Sequence, residues 1–190
     1  MRRALHDVFV GGYHADKVIQ RQMKLNKKWG SHDRKLFASG VYDIVRWWRR
    51  LLAASGVPWP ESDRWDAADP EVYSRVIEAW CLLNGVELAK SVPRRGLSLE
   101  EIESQWNDPT MPRAARESIP DWLDAWAWAQ LGEDWDKILP ALNTEAPVYL
   151  RANRLRVSPE ELRRELPARR SWPTLRATIA FVCGSGAMFF

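Results

Sequence analysis

The sequence NKKWGSHDRKLFASGVYDIVRWWRRLL, residues 26–52, combines the densest positive charge of the chain with its longest helical pattern. Ser31 is a candidate N-cap, Asp33 places a carboxylate in the first turn, and Gly56 and Pro58 are expected to stop the helix. Apolar residues recur at three- and four-residue steps, as on one broad face of an amphipathic helix. These residues are Leu36, Phe37, Val41, Ile44, Val45, Trp48, Leu51 and Leu52. The run therefore predicts one long helix with a buried face.

Basic side chains surround this apolar face and continue into the segment before it. They are Lys24, Lys27, Lys28, Arg34, Lys35, Arg46, Arg49 and Arg50. A helix that is buried on one side and basic at both ends is suited to presenting charge to a polyanion, and a nucleic-acid backbone is the anion expected. Residues 1–50 carry a net charge of +8, residues 51–150 carry −10 and residues 151–190 carry +5. This segregation favours one defined binding face, because the acidic middle would repel phosphates.

The same run carries a family resemblance. Its segments DRKLF (residues 33–37) and VYDIVRWWR (residues 41–49) resemble a signature of the Sun/Fmu-type ribosomal RNA cytosine-5 methyltransferases, in their N-terminal helical domain. The matching positions are Asp33, Arg34, Phe37, Val41, Tyr42 and Arg46. The resemblance implies an all-α fold of the NusB type that binds ribosomal RNA.

A second passage strengthens the resemblance. SIPDWL (residues 118–123) and ALNTEAPVYLRANRLRVSPEEL (residues 141–162) resemble the place where the family's helical domain ends and a small α/β subdomain begins. The matching positions are Ser118, Pro120, Trp122, Leu123, Leu142, Asn143, Ala146, Pro147, Leu150, Arg151, Asn153 and Leu155. The expected fold is an all-α, NusB-like helical bundle over residues 1–144, followed over residues 145–167 by the start of the small α/β subdomain, with one strand and one helix. Residues 168–190 form a tail without a structural prediction.

Two residues of the expected strand are candidate RNA contacts. Val148 to Asn153 is strand-like, and Ser158 to Glu161 opens a helix that should run to about Leu166. Arg151 and Asn153 would then touch RNA or the catalytic domain of the full enzyme. The alternative is that Arg151 pairs with an acidic neighbour and Asn153 caps a turn.

The chemistry of methyl transfer does not emerge from the motifs. The family requires a nucleophilic thiolate and bound S-adenosylmethionine, supplied by a Rossmann-like domain. Cys81 and Cys183 match neither of its cysteine motifs, and Gly184-Ser185-Gly186 is a bare G-x-G without a following helix. We therefore expect no cofactor and no catalytic residue in this chain, with S-adenosylmethionine implied for the full-length enzyme and its methyltransferase domain absent here. The corresponding hypothesis is that the family's sequence is interrupted or ends near residue 168. Whether the chain is itself an enzyme stays open.

Other residue types are assigned structural roles. Cys81 is interpreted as a buried free thiol, and the scattered histidines predict no metal site. Most of the twelve tryptophans are expected to fill the core, among them Trp47, Trp48, Trp80, Trp122, Trp126 and Trp128. Trp29 and Trp47, beside the basic residues, are the two that could instead stack on bases.

The partner predicted is ribosomal RNA, with a methyltransferase domain in cis as a further option. No membrane and no metal are expected, and the cytoplasm is the expected compartment, since no apolar run approaches the ~20 residues that span a bilayer. The leading interpretation is an RNA-binding region of a ribosomal RNA methyltransferase. The alternative is a helical protein–protein interaction module without RNA binding.

Overall fold

The computed structural model of the chain describes residues 1–57, 69–88, 93–144 and 152–165. Within these ranges the secondary structure is helical throughout and contains no β-strand. The predicted all-α class is therefore confirmed, whereas the NusB-like topology stays a prediction. By its internal contacts the chain divides into two compact units, Met1–Leu142 and Asn143–Phe190. The predicted domain limits at residues 144 and 167 stay predictions too, since residues 145–151 and 166–190 lie outside the described ranges.

Nine helices of the described ranges belong to the first unit. They are α1 (Arg2–Phe9), α2 (Ala15–Leu25), α3 (Ser31–Arg46), α4 (Trp48–Ala54), α5 (Pro70–Leu83), α6 (Leu99–Trp106), α7 (Arg113–Arg116), α8 (Asp121–Leu131) and α9 (Asp134–Leu142). In the second unit, α10 spans Pro159–Glu165.

The run at residues 26–52 forms two helices instead of the single helix predicted. The backbone leaves helical geometry at Trp47, with φ −100° and ψ 23°, between α3 and α4. In a continuous helix the N–H of Arg50 would donate to the carbonyl of Arg46. It donates instead to the Oγ of Ser118, at 3.1 Å, so a distant segment of the chain replaces a helical hydrogen bond at this break. The break also widens the buried face, because α4 buries Trp48 and Arg49 as well as Leu51 and Leu52.

Two further helices begin at ordinary capping residues. Asp69 caps α5 by accepting a hydrogen bond from the N–H of Glu71 at 2.8 Å, and Pro70 occupies the first helical position. Ser98 and Glu101 form a capping box at the start of α6. At α3 the cap lies one residue earlier than predicted: Gly30 is the N-cap, and its N–H donates to the carboxylate of Asp33 at 3.0 Å.

The main core lies among the first six helices. Val41 and Ile44 of α3 are fully buried, as are Leu51 of α4 and Val76 of α5. Trp48 is 5% exposed, and its ring lies 4.2 Å from that of Phe9 and 5.7 Å from that of Tyr73, between centroids. Tryptophan as a core filler is therefore confirmed at Trp48 and also at Trp80, which is 4% exposed.

Helices α7 to α9 surround a smaller core, and three tryptophans of α8 that were expected to fill a core are exposed instead. Trp122 and Trp126 are 63% and 61% exposed, and Trp128 is exposed as well. The residue of α8 that is buried is Ala127, which packs with Trp135 and Leu139 of α9. Because α8 is apolar on almost all sides, its periodicity does not say which face meets the core.

The second unit contains the predicted helix at its predicted start. Ser158 and Glu161 form a capping box, in which the Oγ of Ser158 donates to the carboxylate at 2.8 Å and accepts from the N–H of Glu161 at 3.2 Å. Residues 148–151 of the predicted strand lie outside the described ranges. Asn153 lies in a turn, where its Oδ1 accepts from the N–H of Leu155 at 3.1 Å.

Candidate nucleic-acid interface

The turn between α2 and α3 places four exposed lysines close together along the chain. Helix α2 ends at Leu25, and Asn26 closes it by donating from Nδ2 to the carbonyl of Gln22 at 2.8 Å. Helix α3 begins at Ser31, after a connection of five residues. The lysines lie in the last turn of α2, in the connection and on the second turn of α3, and their side chains are exposed. We call them the α2–α3 lysine cluster: Lys24, Lys27, Lys28 and Lys35.

Packing beneath the cluster fixes the backbone that carries it. The ring of Trp29 lies 4.8 Å from that of Phe37, which is buried in the main core. The guanidinium of Arg34 donates to the carbonyl of Trp29 at 3.0 Å and to that of Met23 at 3.4 Å. Arg34, one of the predicted RNA contacts, thus joins the end of α2 to the start of α3. A turn held this way presents its lysines from a defined surface.

The remaining predicted contacts of this run lie at the other end of α3. Arg46 is exposed and ends α3. It lies about 16 Å from Lys35 along the helix axis, at 1.5 Å per residue. A cation in the last turn of a helix is also stabilised by the helix dipole. The predicted basic residues therefore occupy both ends of α3, as the sequence indicated, but in very different surroundings.

Arg49 is buried, with 8% of its surface exposed. Its guanidinium makes a bidentate ion pair with Asp121, with N–O distances of 2.9 and 3.1 Å from Nη2. A further hydrogen bond runs from Nη1 to the carbonyl of Ile119. The planar, forked guanidinium suits this arrangement better than an ammonium would. Arg49 therefore connects α4 with the start of α8.

Arg50 is half-buried and contacts two tryptophans. Its Nη2 and Nε donate to the carbonyl of Trp106 at 2.8 and 3.1 Å. Its guanidinium carbon lies 4.2 Å from the ring centroid of Trp106 and 5.9 Å from that of Trp47, which is cation–π geometry. Burial is the main cause that lowers the pKa of Arg50 below its ordinary value, with Glu117 opposing and Arg116 adding to the shift.

The segment from Glu117 to Asp121 has a structural role that sequence analysis missed. It supplies the carboxylate and carbonyl that bind Arg49, and the hydroxyl of Ser118 that accepts from the N–H of Arg50. Ser118 adopts a left-handed conformation, with φ 54°, which is uncommon for a residue other than glycine. The two sequence passages that carry the family resemblance are thus neighbours in space. Nothing local in either passage indicates this contact, because it joins residues about seventy positions apart.

The two predicted contacts of the second unit are only partly described. Arg151 lies outside the described residues. Asn153 is exposed and makes the turn described above, which corresponds to the turn-capping alternative for its side chain.

The Cys81 thiol and the grouping of metal-ligating side chains bear on catalytic and metal chemistry. Burial raises the pKa of the Cys81 thiol to about 11, with the nearby Glu78 carboxylate contributing, so the thiolate is disfavoured and the predicted buried thiol is confirmed. Within the described ranges no group of His, Cys, Asp and Glu side chains is arranged to hold a metal ion. None of the helices described there has the length and apolar character needed to cross a bilayer.

Comparison with known proteins adds one match. A family model described as the RsmF/B-like methyltransferase ferredoxin-like domain matches residues 119–171. This range contains the second sequence passage except Ser118, and it leaves the first passage, residues 33–49, outside. No curated protein and no solved structure matches the chain. The match supports a relation between this chain and the RsmF/B-like methyltransferases.

Proposed function

We propose that this chain is the RNA-binding region of an S-adenosylmethionine-dependent ribosomal RNA cytosine-5 methyltransferase. In this proposal the α2–α3 lysine cluster binds the phosphates of ribosomal RNA, and methyl transfer is assigned to no residue of this chain. The family match over residues 119–171 supports the link to such enzymes. Support for the binding role comes from the cluster itself, which is exposed, held by Arg34 and located in the most basic part of the sequence.

The described residues do not fit S-adenosylmethionine. Rossmann-like domains hold such cofactors at a glycine-rich turn between a strand and a helix. The described ranges contain no strand to begin such a turn, and Gly184 and Gly186 lie outside them. The proposal therefore assigns the cofactor to the catalytic domain of the full-length enzyme.

The first experiment is a titration of the whole chain with ribosomal RNA at several salt concentrations. Each phosphate neutralised on single-stranded RNA changes the slope of log K against log salt by about −0.7. Four lysines acting together would contribute about −2.8 to that slope. Crosslinking to ribosomal RNA should then attach peptides that contain residues 24–35. Attachment confined to other peptides, or affinity independent of salt, would contradict the proposal.

A matched pair of variants separates the cluster from overall charge. Lys27→Glu with Lys28→Glu reverses two charges in the cluster, and Arg94→Glu with Lys137→Glu reverses two exposed charges elsewhere. The first variant should weaken RNA binding at least tenfold and reduce the salt slope by about 1.4. The second should change affinity much less, since it alters the same net charge away from the cluster. Equal losses in both variants would show that only net charge matters.

A protein–protein interaction module is the alternative function, and the exposed face of α8 favours it. Trp122 and Trp126 lie four residues apart on one side of α8 and expose more than half of their surface, which is typical of a surface that binds protein. In this alternative the partner is a methyltransferase catalytic domain. The alternative would be favoured if the chain binds such a domain at high salt and the double variant Trp122→Ala with Trp126→Ala does not. The chain should then also show no RNA binding at low salt.

A further inference from the structure

A cavity of about 350 Å³ opens among α3, α4, α5 and α6 in the first unit. Its walls include the indole rings of Trp47, Trp80 and Trp106, and its polar groups are Asp43 and Asn84. Two leucines complete the lining. Neither the sequence motifs nor the family match assigns a role to this cavity, which lies outside residues 119–171.

We propose that this cavity binds one unpaired nucleobase. The inference rests on the proposed RNA-binding function and adds a base-recognition site to the phosphate contacts of the lysine cluster. Single-stranded RNA is commonly recognised by bases that leave the stack and insert between aromatic side chains. A cavity of a few hundred Å³ is of the size that small planar ligands occupy.

The aromatic walls supply the stacking surface. The rings of Trp47 and Trp106 lie 5.9 Å apart between centroids and meet at 65°, so they form two sides of a corner. Stacking on such rings tolerates any base, because every base has a π face. Burial of Trp80 holds the third wall in place, with its Nε1–H donating to the carboxylate of Asp43 at 3.3 Å.

The polar groups are suited to the edge of a base. The carboxylate of Asp43 accepts from Trp80, and because a carboxylate accepts several hydrogen bonds, an exocyclic amino group can be a further donor to it. Cytosine, adenine and guanine carry such an amino group, whereas uracil does not. The amide of Asn84 is oriented by its Nδ2, which donates to the carbonyl of Trp80 at 2.8 Å. The amide oxygen of Asn84 accepts hydrogen bonds, so it also favours a base that carries an amino group.

An aromatic cavity with a carboxylate is also the geometry that binds organic cations, and the surroundings disfavour that ligand. The guanidinium of Arg50 already stacks on Trp106, 4.2 Å from the ring centroid, and lies 5.9 Å from Trp47. A second cation at the same rings would be repelled by this charge. The phosphate of a nucleotide whose base occupies the cavity would instead be attracted by it.

The cavity and the lysine cluster lie toward opposite ends of one helix. Asp43 is twelve residues from Ser31, which corresponds to about 18 Å along α3. One RNA strand of several nucleotides could therefore contact the lysines with its phosphates and place a single base in the cavity. This arrangement combines positioning by phosphates with readout of a base edge.

The experiment follows the tryptophan indole N–H signals of the full chain by NMR during titration with cytidine, uridine, adenosine and tetramethylammonium. We expect saturable shifts of the Trp47, Trp80 and Trp106 signals with the nucleosides, and weaker binding of uridine than of cytidine. Asp43→Asn should narrow the difference between cytidine and uridine, because an amide can also donate. Saturable binding of tetramethylammonium without nucleoside binding would overturn the proposal in favour of a cation site, and no saturable shift with any probe would overturn it outright.

A matched pair of substitutions tests the stacking surface. Trp106→Leu should weaken cytidine binding ~5- to 150-fold, the range found for loss of one base–aromatic stack. Trp126→Leu removes an exposed tryptophan that does not line the cavity and should leave binding unchanged. If Trp106→Leu does not fold, the wild-type titration and Asp43→Asn still decide the question. Two results separate this proposal from the proposed function. If RNA binding is lost in the lysine variant but nucleosides do not bind the chain, the cavity proposal alone is refuted. If nucleosides bind but RNA binding does not depend on salt, the proposed function alone is refuted.

Discussion

The α2–α3 lysine cluster and the α4 arginines carry the same charge within one run of the sequence but have opposite surroundings. Lys27 and Lys28 are exposed in a turn. Arg49 is buried against Asp121 and Ile119, and Arg50 stacks on Trp106 while it donates to that residue's carbonyl. The lysines are placed to meet a partner, whereas the arginines are used to hold the first unit together.

The difference follows from the chemistry of the two side chains. The guanidinium is planar, weakly hydrated and forked, so it can be buried if carbonyls and a carboxylate satisfy its donors. The ammonium of lysine is strongly hydrated and is retained at the surface. A count of positive charges along the chain treats both alike. Among the predicted basic residues from α2 to α4, the exposed ones are therefore the lysine cluster and Arg46.

Arg49→Met provides the largest expected effect on stability. The substitution keeps an unbranched apolar stem but removes the guanidinium with its bonds to Asp121 and Ile119. We expect the free energy of unfolding to fall by about 2 kcal/mol, and not by the larger cost of an isolated buried charge, because Asp121 is 59% exposed and can be hydrated. Denaturation with urea, followed by circular dichroism and tryptophan fluorescence, measures the change.

Lys28→Met is the control for Arg49→Met, since it removes one exposed charge with the same substituent. Its free energy of unfolding should stay within about 0.5 kcal/mol of the wild type. Equal destabilisation by the two variants would remove the distinction between the two groups of cations.

Acid titration extends the comparison to a third embedded cation, Arg113. Its Nε and Nη2 donate to Asp124 at 2.8 and 3.1 Å, and Nη1 donates to Asp136 at 2.9 Å. Burial by itself would raise the pKa of Asp124, but the bonds from Arg113 and Trp135 outweigh it and lower the pKa below its ordinary value. A lowered folded-state pKa stabilises the protein above the unfolded value of about 3.9, and this contribution is lost as the pH falls through the folded value.

The corresponding variant is Asp124→Asn. It should destabilise the protein by about 1 kcal/mol at neutral pH, through loss of a charge-assisted bond, and should show a smaller further loss below pH ~4 than the wild type. Urea denaturation at a series of pH values gives both quantities. An unchanged acid dependence would mean that Arg113 and Asp124 do not contribute as a pair.

The sequence predicted those parts of the fold that depend on neighbouring residues. The helix after Ser158 follows from a local capping signal, and it is confirmed. The break at Trp47 was missed because the N–H of Arg50 donates to Ser118, which lies 68 positions from Arg50. The burial of Arg49 was missed for the same reason, whereas the exposure of Trp122 was missed because α8 is apolar on almost all sides.

The candidate interface shows the same division. The sequence located the basic residues but could not separate those used in packing from those left exposed. The cavity lined by Trp47, Trp80 and Trp106 collects residues from helices far apart in the chain, and no motif joins them. Of these three tryptophans, the sequence indicated only Trp47 as a residue that could stack on a base, because it stands beside the basic residues.

The smallest expected effect is the change in the free energy of unfolding when the lysine cluster is altered. Its sign shows whether these lysines contribute to the stability of the fold. In Lys27→Gln with Lys28→Gln, two adjacent like charges are removed from an exposed turn, so the free energy of unfolding should be unchanged or higher by about 0.5 kcal/mol at low salt. Added salt screens the repulsion between the lysines, and the small difference between variant and wild type should then disappear. The measurement is urea denaturation at low and high salt, with the salt slope of RNA binding recorded on the same samples. A variant that loses stability would place these lysines with Arg49 among the packing residues, and RNA binding by the cluster would then no longer follow from its exposure.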